Sequence, residues 1–533
     1  MSKEASTRRQ FLRDAALSGM LAVAWQRQAG GNATQQQRIE AALPKKAYVQ
    51  PRRPRRLLIF DRNVGYGGHG SIPTANLAFT RMGEKTGAFA TEISRDPAVF
   101  RSESLKRFDA VFFNNNVGNL FEDPVLRGNL IDFVYGGGGL MGVHGTTVAF
   151  TRWPGAHEDW PEFGIMLGAR GANHYDNDEH VFIKLDDPDH PLNRPFAPNG
   201  FDYRDEFFRV HGPYSRDRVR VLFSIDTEKT KIDGQPRGNC HREDDDYALA
   251  WVRQYGRGRV FYCTIAHNPY VFWDARMLEF YLAAAQFALG DLLAPTAPSA
   301  KLTPAVRARE RLGWRLGLAA GPEGTLFDHI DRAAKLGVLH VGGSDRQRVS
   351  AEIAKDFDGR LNNDERRAVR LKLDAAGVRL LTYRLYQNPT GMAGWRDVFE
   401  FGRKMGVEAL IGGPPVAAMD TIEKLCDEHD IRFALDDNDG DIKRLLQVCR
   451  GRSEHIGVWG DPVAWKRRGL DPVETVRALG RRLIVPQVSD GSGAVVKEIR
   501  RLGLTPVMFG VASRRGTAKS IDSFNQMSVQ LAK

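Results

Sequence analysis

The sequence has no long hydrophobic run and few cysteines. No apolar stretch in the 533 residues reaches the ~18 residues that a membrane-spanning helix needs, so we expect no membrane span in the mature protein. The four cysteines are far apart and form no C-x-x-C pair, so a disulfide is permitted but its pairing cannot be deduced from their spacing. At roughly 100–200 residues per domain, the chain is long enough for several domains.

The body of the chain also carries little net charge. Residues 1–56 contain twelve Lys and Arg but only three Asp and Glu, so nine of the eleven net positive charges lie there. The remaining residues are close to neutral, which argues against a nucleic-acid partner. We interpret the basic stretch KKAYVQPRRPRR (45–56) as part of a solvated linker.

The N-terminus is similar to a bacterial export signal. The stretch STRRQFL contains Arg8 and Arg9, and an apolar stretch follows from Ala15 to Trp25. This pattern resembles a twin-arginine signal. We therefore predict a signal peptide over residues 1–31, the twin-arginine translocation machinery as a partner, and a periplasmic or secreted location.

Two Pro-containing breaks divide the rest of the chain. We predict linkers over 32–56 and 291–311, and folded blocks over 57–290 and 312–533. The first block reads β-α-β-α-β, which predicts an open, parallel, flavodoxin-like sheet. In the second block, eight apolar strands alternate with amphipathic helices, which predicts a (β/α)8 TIM barrel. Both blocks are therefore of the α/β class.

Polar residues follow the predicted strands of the first block. In open parallel sheets, ligands bind beyond the carboxyl ends of the strands. His69, Asn115, His144 and His267 each follow such a strand, and His174, Asp205 and Glu206 lie in the segments between. We expect one polar pocket lined by His69, His144, His174, Glu206 and His267.

His144 lies near the end of the stretch GGGGLMGVHGTT (136–147). A short apolar strand that ends at a small-residue turn often presents a nucleophilic Ser or Cys, but here the residue is a histidine. A histidine there can act as a general acid or base, or as a metal ligand. No H-x-x-x-H or H-E-x-x-H spacing supports a metal site, so that reading depends on the convergence of the strand ends.

The first block resembles the ThuA-like (trehalose-utilisation) family, which has a class I glutamine-amidotransferase-like fold. The resemblance lies in HGSIPTANLAF, GGGGLMGVHGTT, DDPDHPLNRPF, DYRDEFFRV and AWVRQYGRGRVFYCTIAH. Glutamine amidotransferases have a cysteine where this chain has His144, which excludes their thioester chemistry. The family often carries an Asp shortly after the elbow histidine, whereas this chain has Thr146 and Thr147. The resemblance implies a carbohydrate substrate and a role for His190 at the pocket rim.

Candidate roles follow from residue type and from this resemblance. We predict His144, His267 and Glu206 as catalytic residues, with the two histidines as base and acid. We predict that five further residues bind the substrate: His69, His174, Asn115, Asp205 and His190. A divalent metal remains open as a cofactor, and its candidate ligands are His69, His144, His174 and His267.

The second block resembles the xylose-isomerase-like sugar phosphate isomerase/epimerase family over residues 312–533. The resemblance is carried by IGVWGDPVAWKRRGLDPVETVRALGRRLIVPQVSDGSG. Where that family has an H-x-K-D motif on strand seven and a Glu on strand eight, this chain has residues 487–490 (QVSD) and Gly510. A divalent ion needs several ligands in fixed geometry, so we expect a degenerate barrel without metal-dependent isomerase activity. Four carboxylates there either bind sugar hydroxyls or are merely solvated: Asp436, Asp437, Asp461 and Asp490.

The sequence thus favours an exported enzyme that acts on a sugar or a 3-keto-glycoside. A keto group acidifies the neighbouring C–H, so a histidine that removes this proton permits epimerisation or elimination. The alternative is a non-catalytic sugar-binding or scaffold protein. A third possibility is a metal-dependent hydrolase in which the histidine cluster activates water.

Overall fold

The computed structural model describes residues 34–152, 157–232, 241–321, 324–436, 441–513 and 516–533. The predicted signal peptide (1–31) and Asp437 lie outside these residues. The chain forms two compact units, Met1–Ser299 and Ala300–Lys533.

One nine-stranded sheet forms the centre of the N-terminal unit. Its sheets use strands β1 (Arg56–Phe60), β2 (Ala90–Ser94), β3 (Ala110–Asn114), β4 (Gly139–Val143), β5 (Thr151–Arg152), β6 (His157–Glu158), β7 (Arg170–His174), β8 (Glu179–Leu185), β9 (Phe201–Asp205), β10 (Phe208–His211), β11 (Arg220–Ile225), β12 (Ala248–Tyr255) and β13 (Gly258–Cys263). The central order is β2-β1-β3-β4-β13-β12-β11-β8-β9. The first five strands in this order, from β2 to β13, pair in parallel. From β13 to β9 each neighbouring pair is antiparallel. The parallel half is the flavodoxin-like sheet that the sequence predicts.

Helices pack on this sheet through two separate cores. The helices are α1 (Gln35–Ala42), α2 (Ile72–Thr86), α3 (Ser102–Leu105), α4 (Pro124–Tyr135), α5 (Pro161–Leu167) and α6 (Ala275–Leu289). Successive side chains of a strand point to opposite faces, and β1 shows this clearly. Leu57 and Ile59 belong to the core that includes α2 and α6. Leu58 and Phe60 belong to the core that includes α4 and α5.

Strand β2 is an element that the sequence analysis missed. Its sequence, ATEIS, is short and half polar, and none of its residues is fully buried. Such a pattern is typical of an edge strand with little apolar signal. The strand pairs in parallel with β1 along its whole length.

The segment before β1 differs from the solvated linker that the sequence predicts. Ile39 of α1 and Leu43 are buried in the core of the N-terminal unit. The side-chain oxygen of Gln286 accepts hydrogen bonds from the backbone N–H groups of Tyr48 and Val49. Arg55 forms ion pairs with Asp291 and Asp109. The sequence hides this docking because each contact joins residues far apart in the chain.

The C-terminal unit is a closed barrel of eight parallel strands, as the sequence predicts. The strands are β14 (Leu316–Leu318), β15 (His340–Ser344), β16 (Arg379–Arg384), β17 (Ala409–Gly412), β18 (Arg432–Asp436), β19 (Ile456–Gly460), β20 (Leu483–Val488) and β21 (Phe509–Val511). The helices are α7 (Pro304–Leu312), α8 (Leu326–Lys335), α9 (Asn363–Ala376), α10 (Gly391–Lys404), α11 (Met419–His429), α12 (Ile442–Cys449), α13 (Pro462–Arg467), α14 (Pro472–Leu479), α15 (Gly493–Arg501) and α16 (Thr517–Leu531). Thr325 and Asn362 form capping boxes at the starts of α8 and α9, which explains why these helices begin there.

In the described part of the chain, none of the helices has the length and apolar character needed to cross a bilayer. Three cysteines are buried free thiols, Cys263, Cys426 and Cys449. Cys240 lies outside the described residues.

Candidate functional site

His144 lies at a sharp turn directly after β4. Its φ of 42° is in the left-handed region, where a non-glycine residue is strained. The chain then enters a short 3-10 helix, His144–Val148. The Tyr262 hydroxyl donates to the carbonyl of His144 at 2.8 Å, and the Thr146 hydroxyl donates to the carbonyls of Phe113 and Val143. These bonds hold the strained turn and fix the direction of the histidine side chain.

The contacts of the His144 ring place a proton on Nδ1. Its Nδ1 lies 2.9 Å from the backbone oxygen of Thr264, and a carbonyl can only accept, so Nδ1 carries a proton. Its Nε2 lies 3.1 Å from Oε1 of Glu206 and 3.3 Å from Nδ1 of His267. An ionised carboxylate can also only accept, so the contact with Glu206 requires either a proton or a metal ion on Nε2.

Four side chains from different strand ends meet at this point. One ligand atom each from His69, His144, Glu206 and His267 lies within 4.8 Å of the others. His69 lies between β1 and α2, Glu206 between β9 and β10, and His267 after β13. We call these four residues the histidine cluster.

The donor set of the histidine cluster fits a divalent metal ion. Two ligands about 2.05 Å from an ion at the tetrahedral angle are roughly 3.3 Å apart. The distances from Glu206 Oε1 to His144 Nε2 and to His267 Nδ1 are 3.1 and 3.4 Å. His69 hydrogen-bonds to the backbone of Asn115, and within the described residues its buried Nδ1 has no hydrogen-bond partner. A ring nitrogen of this kind, on a histidine whose ring is held by a backbone carbonyl, is typical of metal ligands.

Burial and mutual charge shift the pKa values in the cluster. Burial alone would raise the pKa of Glu206, but His267 and His174 and the hydrogen bonds around the carboxylate hold that pKa well below its usual range. Burial lowers the pKa of His267, and Glu206 more than compensates, so the net pKa is raised. Burial and the positive charge of His144 and His267 lower the pKa of His69. The cluster therefore keeps one carboxylate ionised among several nitrogen donors.

His174 contacts Oε2 of Glu206, the outer carboxylate oxygen, whereas His144 and His267 face Oε1. It ends β7, whose pairing with β10 places it opposite Phe208. Its Nδ1 lies 3.3 Å from Oε2 of Glu206. About a tenth of the side-chain surface is exposed in His174 and in His267, whereas His144 is fully buried. His174 and His267 are thus better placed than His144 to meet a substrate.

An apolar wall that the sequence analysis missed borders the cluster. Val117, Val148 and Phe208 form a small buried group, and Tyr66 packs against it. The Phe208 ring is 4.8 Å from that of His144, and the Tyr66 ring is 5.0 Å from that of His69. Burial, with a smaller contribution from Glu206, raises the pKa of Tyr66 to about 12. No motif marked these residues, although Phe208 lies in the quoted stretch DYRDEFFRV.

Asp205 and Asn115 take positions beside the cluster rather than in it. The Asp205 carboxylate accepts from the backbone N–H groups of His267 and Asn268, and burial raises its pKa to about 6. Both amide hydrogens of Asn115 are donated within the protein, to Ser71 and to Ala266. These two predicted substrate-binding residues therefore support the loops of the site.

His190 lies away from the histidine cluster. It follows β8, in the loop that joins Leu185 to Phe201, whereas Asp205 pairs with Glu179 at the other end of these strands. Its Nε2 is 3.0 Å from the carbonyl oxygen of Pro295, and its Nδ1 accepts from Leu192 N–H. The resemblance implied that His190 lies at the pocket rim, and the structure does not show this. The DPDHP turn lies at the opposite end of β8 and β9 from Asp205.

The barrel has a cavity of about 190 Å³ at the carboxyl ends of its strands. Arg384 lines this cavity, stacks on Trp459 at 4.7 Å and pairs with Asp436. With its amide turned to satisfy both neighbours, Gln487 accepts from Trp459 Nε1 and donates to the carbonyl of Gly510. A Cβ at Gly510 would lie 2.3 Å from the Gln487 side chain. The amide of Gln487 thus fills the space beside Gly510.

The other predicted carboxylates of the barrel have local partners. Asp461 caps α13 through the N–H groups of Val463 and Ala464. Asp490 pairs with Lys519 at 2.8 Å and accepts from Ser523. Among the residues that the structure describes, the histidine cluster is the one group able to hold a metal ion, and the barrel contributes none of its members.

Comparison with known proteins assigns a family to the N-terminal unit. Residues 56–288 match the ThuA family model, described as trehalose utilisation, so this part of the chain is a ThuA-like domain. The match indicates a carbohydrate-related function. The comparison with curated proteins found no match.

Several solved structures resemble one unit or the other. An uncharacterised protein from Parabacteroides distasonis is 20% identical over 40% of this chain and 99% of its own, with a TM-score of 0.36. A ThuA-like protein from Bacteroides uniformis is 19% identical over 45% of this chain and 93% of its own, with a TM-score of 0.37. A xylose isomerase domain protein from Planctomyces limnophilus is 13% identical over 41% of this chain and 95% of its own, with a TM-score of 0.31.

Proposed function

We propose that the ThuA-like domain is a metal-assisted enzyme that acts on a sugar or a 3-keto-glycoside at the histidine cluster. The observation that carries this proposal is the convergence of His69, His144, Glu206 and His267 within 4.8 Å. The barrel offers no comparable set among its described residues, so we assign the chemistry to the N-terminal unit.

The four residues of the cluster share one part in the proposal. His144, His69, His267 and Glu206 would hold the ion, and the Thr264 carbonyl keeps Nε2 of His144 free to bind it. A bound divalent ion polarises a carbonyl or hydroxyl oxygen and lowers the pKa of a coordinated water. This assignment differs from the sequence prediction of His144 as base, because a fully buried ring with both nitrogens engaged cannot reach a substrate proton.

His174 is our candidate for moving the substrate proton. It is partly exposed, and its Nδ1 faces Oε2 of Glu206. A carboxylate paired with one imidazole nitrogen orients the ring and stabilises its protonated form, as a base requires. In a 3-keto-glycoside the carbon next to the keto group carries an acidic C–H. Removal of that proton by His174 would lead to epimerisation or to loss of the glycosidic oxygen.

The experiment is turnover measured by NMR with a panel of glucosides and their 3-keto derivatives. We expect turnover of the keto compounds, its loss in EDTA, and its return when Zn²⁺ or Mn²⁺ is added back. His267→Ala should abolish turnover. His180→Ala is the matched control, since this exposed histidine pairs with Asp202 outside the cluster. Turnover that survives both EDTA and His267→Ala would refute the proposal.

A second candidate function is non-catalytic sugar binding by the barrel. The observation that favours it is the cavity at the strand ends, which combines an indole, a carboxylate and apolar residues. Saturable binding of a methyl glycoside in the presence of EDTA, without turnover of any compound in the panel, would support this function instead.

We also propose export through the twin-arginine pathway to the periplasm or beyond. The support is the stretch STRRQFL followed by apolar residues. Cell fractionation should find the wild-type protein in the periplasmic or extracellular fraction. Replacement of both Arg8 and Arg9 by Lys should retain it in the cytoplasm, and an unchanged distribution would contradict this route.

A further inference from the structure

A single buried amide lies between the loops that carry the three histidines of the cluster. Asn115 is fully buried and follows β3 with a φ of 56°. Its Nδ2 donates to Ser71 Oγ at 3.1 Å and to the carbonyl of Ala266 at 2.8 Å. Its Oδ1 accepts from Gly145 N–H at 3.0 Å. Three separate segments of the chain therefore meet on one side chain.

Each of these partners is next to, or close to, a histidine of the cluster. Ser71 is two residues after His69, while Gly145 and Ala266 are the direct neighbours of His144 and His267. The Ser71 hydroxyl also donates to the carbonyl of Ala266 at 2.7 Å, which closes the network. The backbone of Asn115 in addition takes the hydrogen bond from the ring of His69.

Asparagine suits this position for two physical reasons. Asn tolerates the left-handed backbone better than most residues with a side chain. Its amide supplies two donors and an acceptor, and the three segments use both donors and the oxygen. The segments are also tightly packed, since a Cβ at Gly145 would lie 3.1 Å from the His69 ring and 3.3 Å from the Asn115 carbonyl.

We propose that Asn115 is a positioning residue that fixes the mutual placement of His69, His144 and His267. The consequence for metal affinity rests on the proposed function, whereas the consequence for the three loops does not. Partners that orient metal ligands typically change affinity by about 10–100-fold when they are removed. Asn115 bonds to the three segments that carry His69, His144 and His267, so its replacement should loosen all three loops.

The test compares Asn115→Asp with Asn116→Asp. Asn116 is a matched control, because it is equally buried and its Nδ2 also donates twice, to the carbonyls of Phe60 and Arg62. Neither of these carbonyls is next to a cluster histidine. Both substitutions replace a donor by a carboxylate oxygen at a buried site. If a buried charge unfolds either protein, Asn115→Gly and Asn116→Ala remove the amides without adding charge.

Two measurements separate positioning from general stability. We expect Asn115→Asp to increase amide hydrogen exchange in the peptides that contain residues 69–72, 144–146 and 265–268, and to weaken Zn²⁺ binding by about 10–100-fold. Asn116→Asp should leave these peptides and the Zn²⁺ affinity within about threefold of wild type.

The outcomes for the two proposals are distinct. Equal effects of the two substitutions on the three peptides and on affinity would overturn the role of Asn115. If the wild-type protein binds no Zn²⁺, the proposed function fails, and the exchange of the three peptides alone decides the role of Asn115.

Discussion

Nδ1 of His144 lies 2.9 Å from the backbone carbonyl oxygen of Thr264. This contact places the ring proton on Nδ1 and leaves Nε2 to the centre of the histidine cluster. The turn after β4 presents an imidazole whose other nitrogen, Nε2, faces a carboxylate and a second imidazole. The same strained turn is thereby suited to holding an ion rather than to attacking a substrate.

Metal binding should stabilise the N-terminal unit. An ion that binds only the folded state adds about 2.7 kcal/mol at a free concentration of one hundred times Kd. We expect the melting temperature of the N-terminal unit to rise with added Zn²⁺ and to fall in EDTA. His144→Ala should remove this response and His180→Ala should keep it. A transition that does not respond to Zn²⁺ in the wild type would argue against the metal site.

His174→Ala should separate metal binding from turnover. His174 is not one of the four grouped ligands and meets the cluster at Oε2 of Glu206, so the four ligands remain and affinity should fall by about 10–100-fold. Turnover of a keto-glycoside at saturating metal should fall further, because the proton acceptor is lost. Calorimetry and NMR turnover on the same protein measure the two effects, and full turnover at saturating metal would contradict the assignment of His174.

Gly145→Ala should disturb the cluster without replacing a ligand. A Cβ there would lie 3.1 Å from both the His69 ring and a methyl group of Val117. Contacts this tight force neighbouring groups apart, and overpacking destabilises by about 1–3 kcal/mol. We expect weaker Zn²⁺ binding than in Gly128→Ala, a control on α4 where a Cβ meets nothing within 4 Å. Equal Zn²⁺ affinity in the two variants would contradict this expectation.

His190 should make the N-terminal unit sensitive to acid. Burial lowers its pKa in the folded protein to about 4, below the ordinary value of about 6.5. Between these values the unfolded chain binds more protons, so stability is complete above pH ~6.5 and falls as the pH drops towards 4. The change should amount to roughly 3 kcal/mol.

The matched variant for this pH dependence is His190→Asn, since an asparagine side chain can also accept from a nearby backbone N–H, as His190 does from Leu192. Denaturant unfolding between pH 7 and 4 should show a stability difference from wild type that shrinks or reverses as the pH falls. A difference that stays constant over this range would contradict the assignment to His190.

Much of the fold follows from local sequence patterns. The eight barrel strands and the parallel strands that end near His69, Asn115, His144 and His267 were predictable, because buried strands carry apolar runs and their ends carry polar residues. The convergence of strand ends followed from the topology of parallel sheets.

The remaining features depend on contacts that no local pattern reveals. Strand β2 is a half-polar edge, and the docking of α1 depends on Gln286, far away in the sequence. The position of His190 depends on which end of β8 its loop joins. The tautomer of His144 depends on the Thr264 carbonyl, and the role of Asn115 depends on three loops meeting at one amide.

The most direct test of the central claim is equilibrium binding of Co²⁺ and Zn²⁺ to the metal-stripped protein. We predict one ion per chain and a Co²⁺ absorption spectrum typical of nitrogen ligands. Both should be lost in His144→Ala and in His267→Ala but kept in His180→Ala. Absence of saturable binding, or binding that survives both substitutions in the cluster, would contradict the central claim.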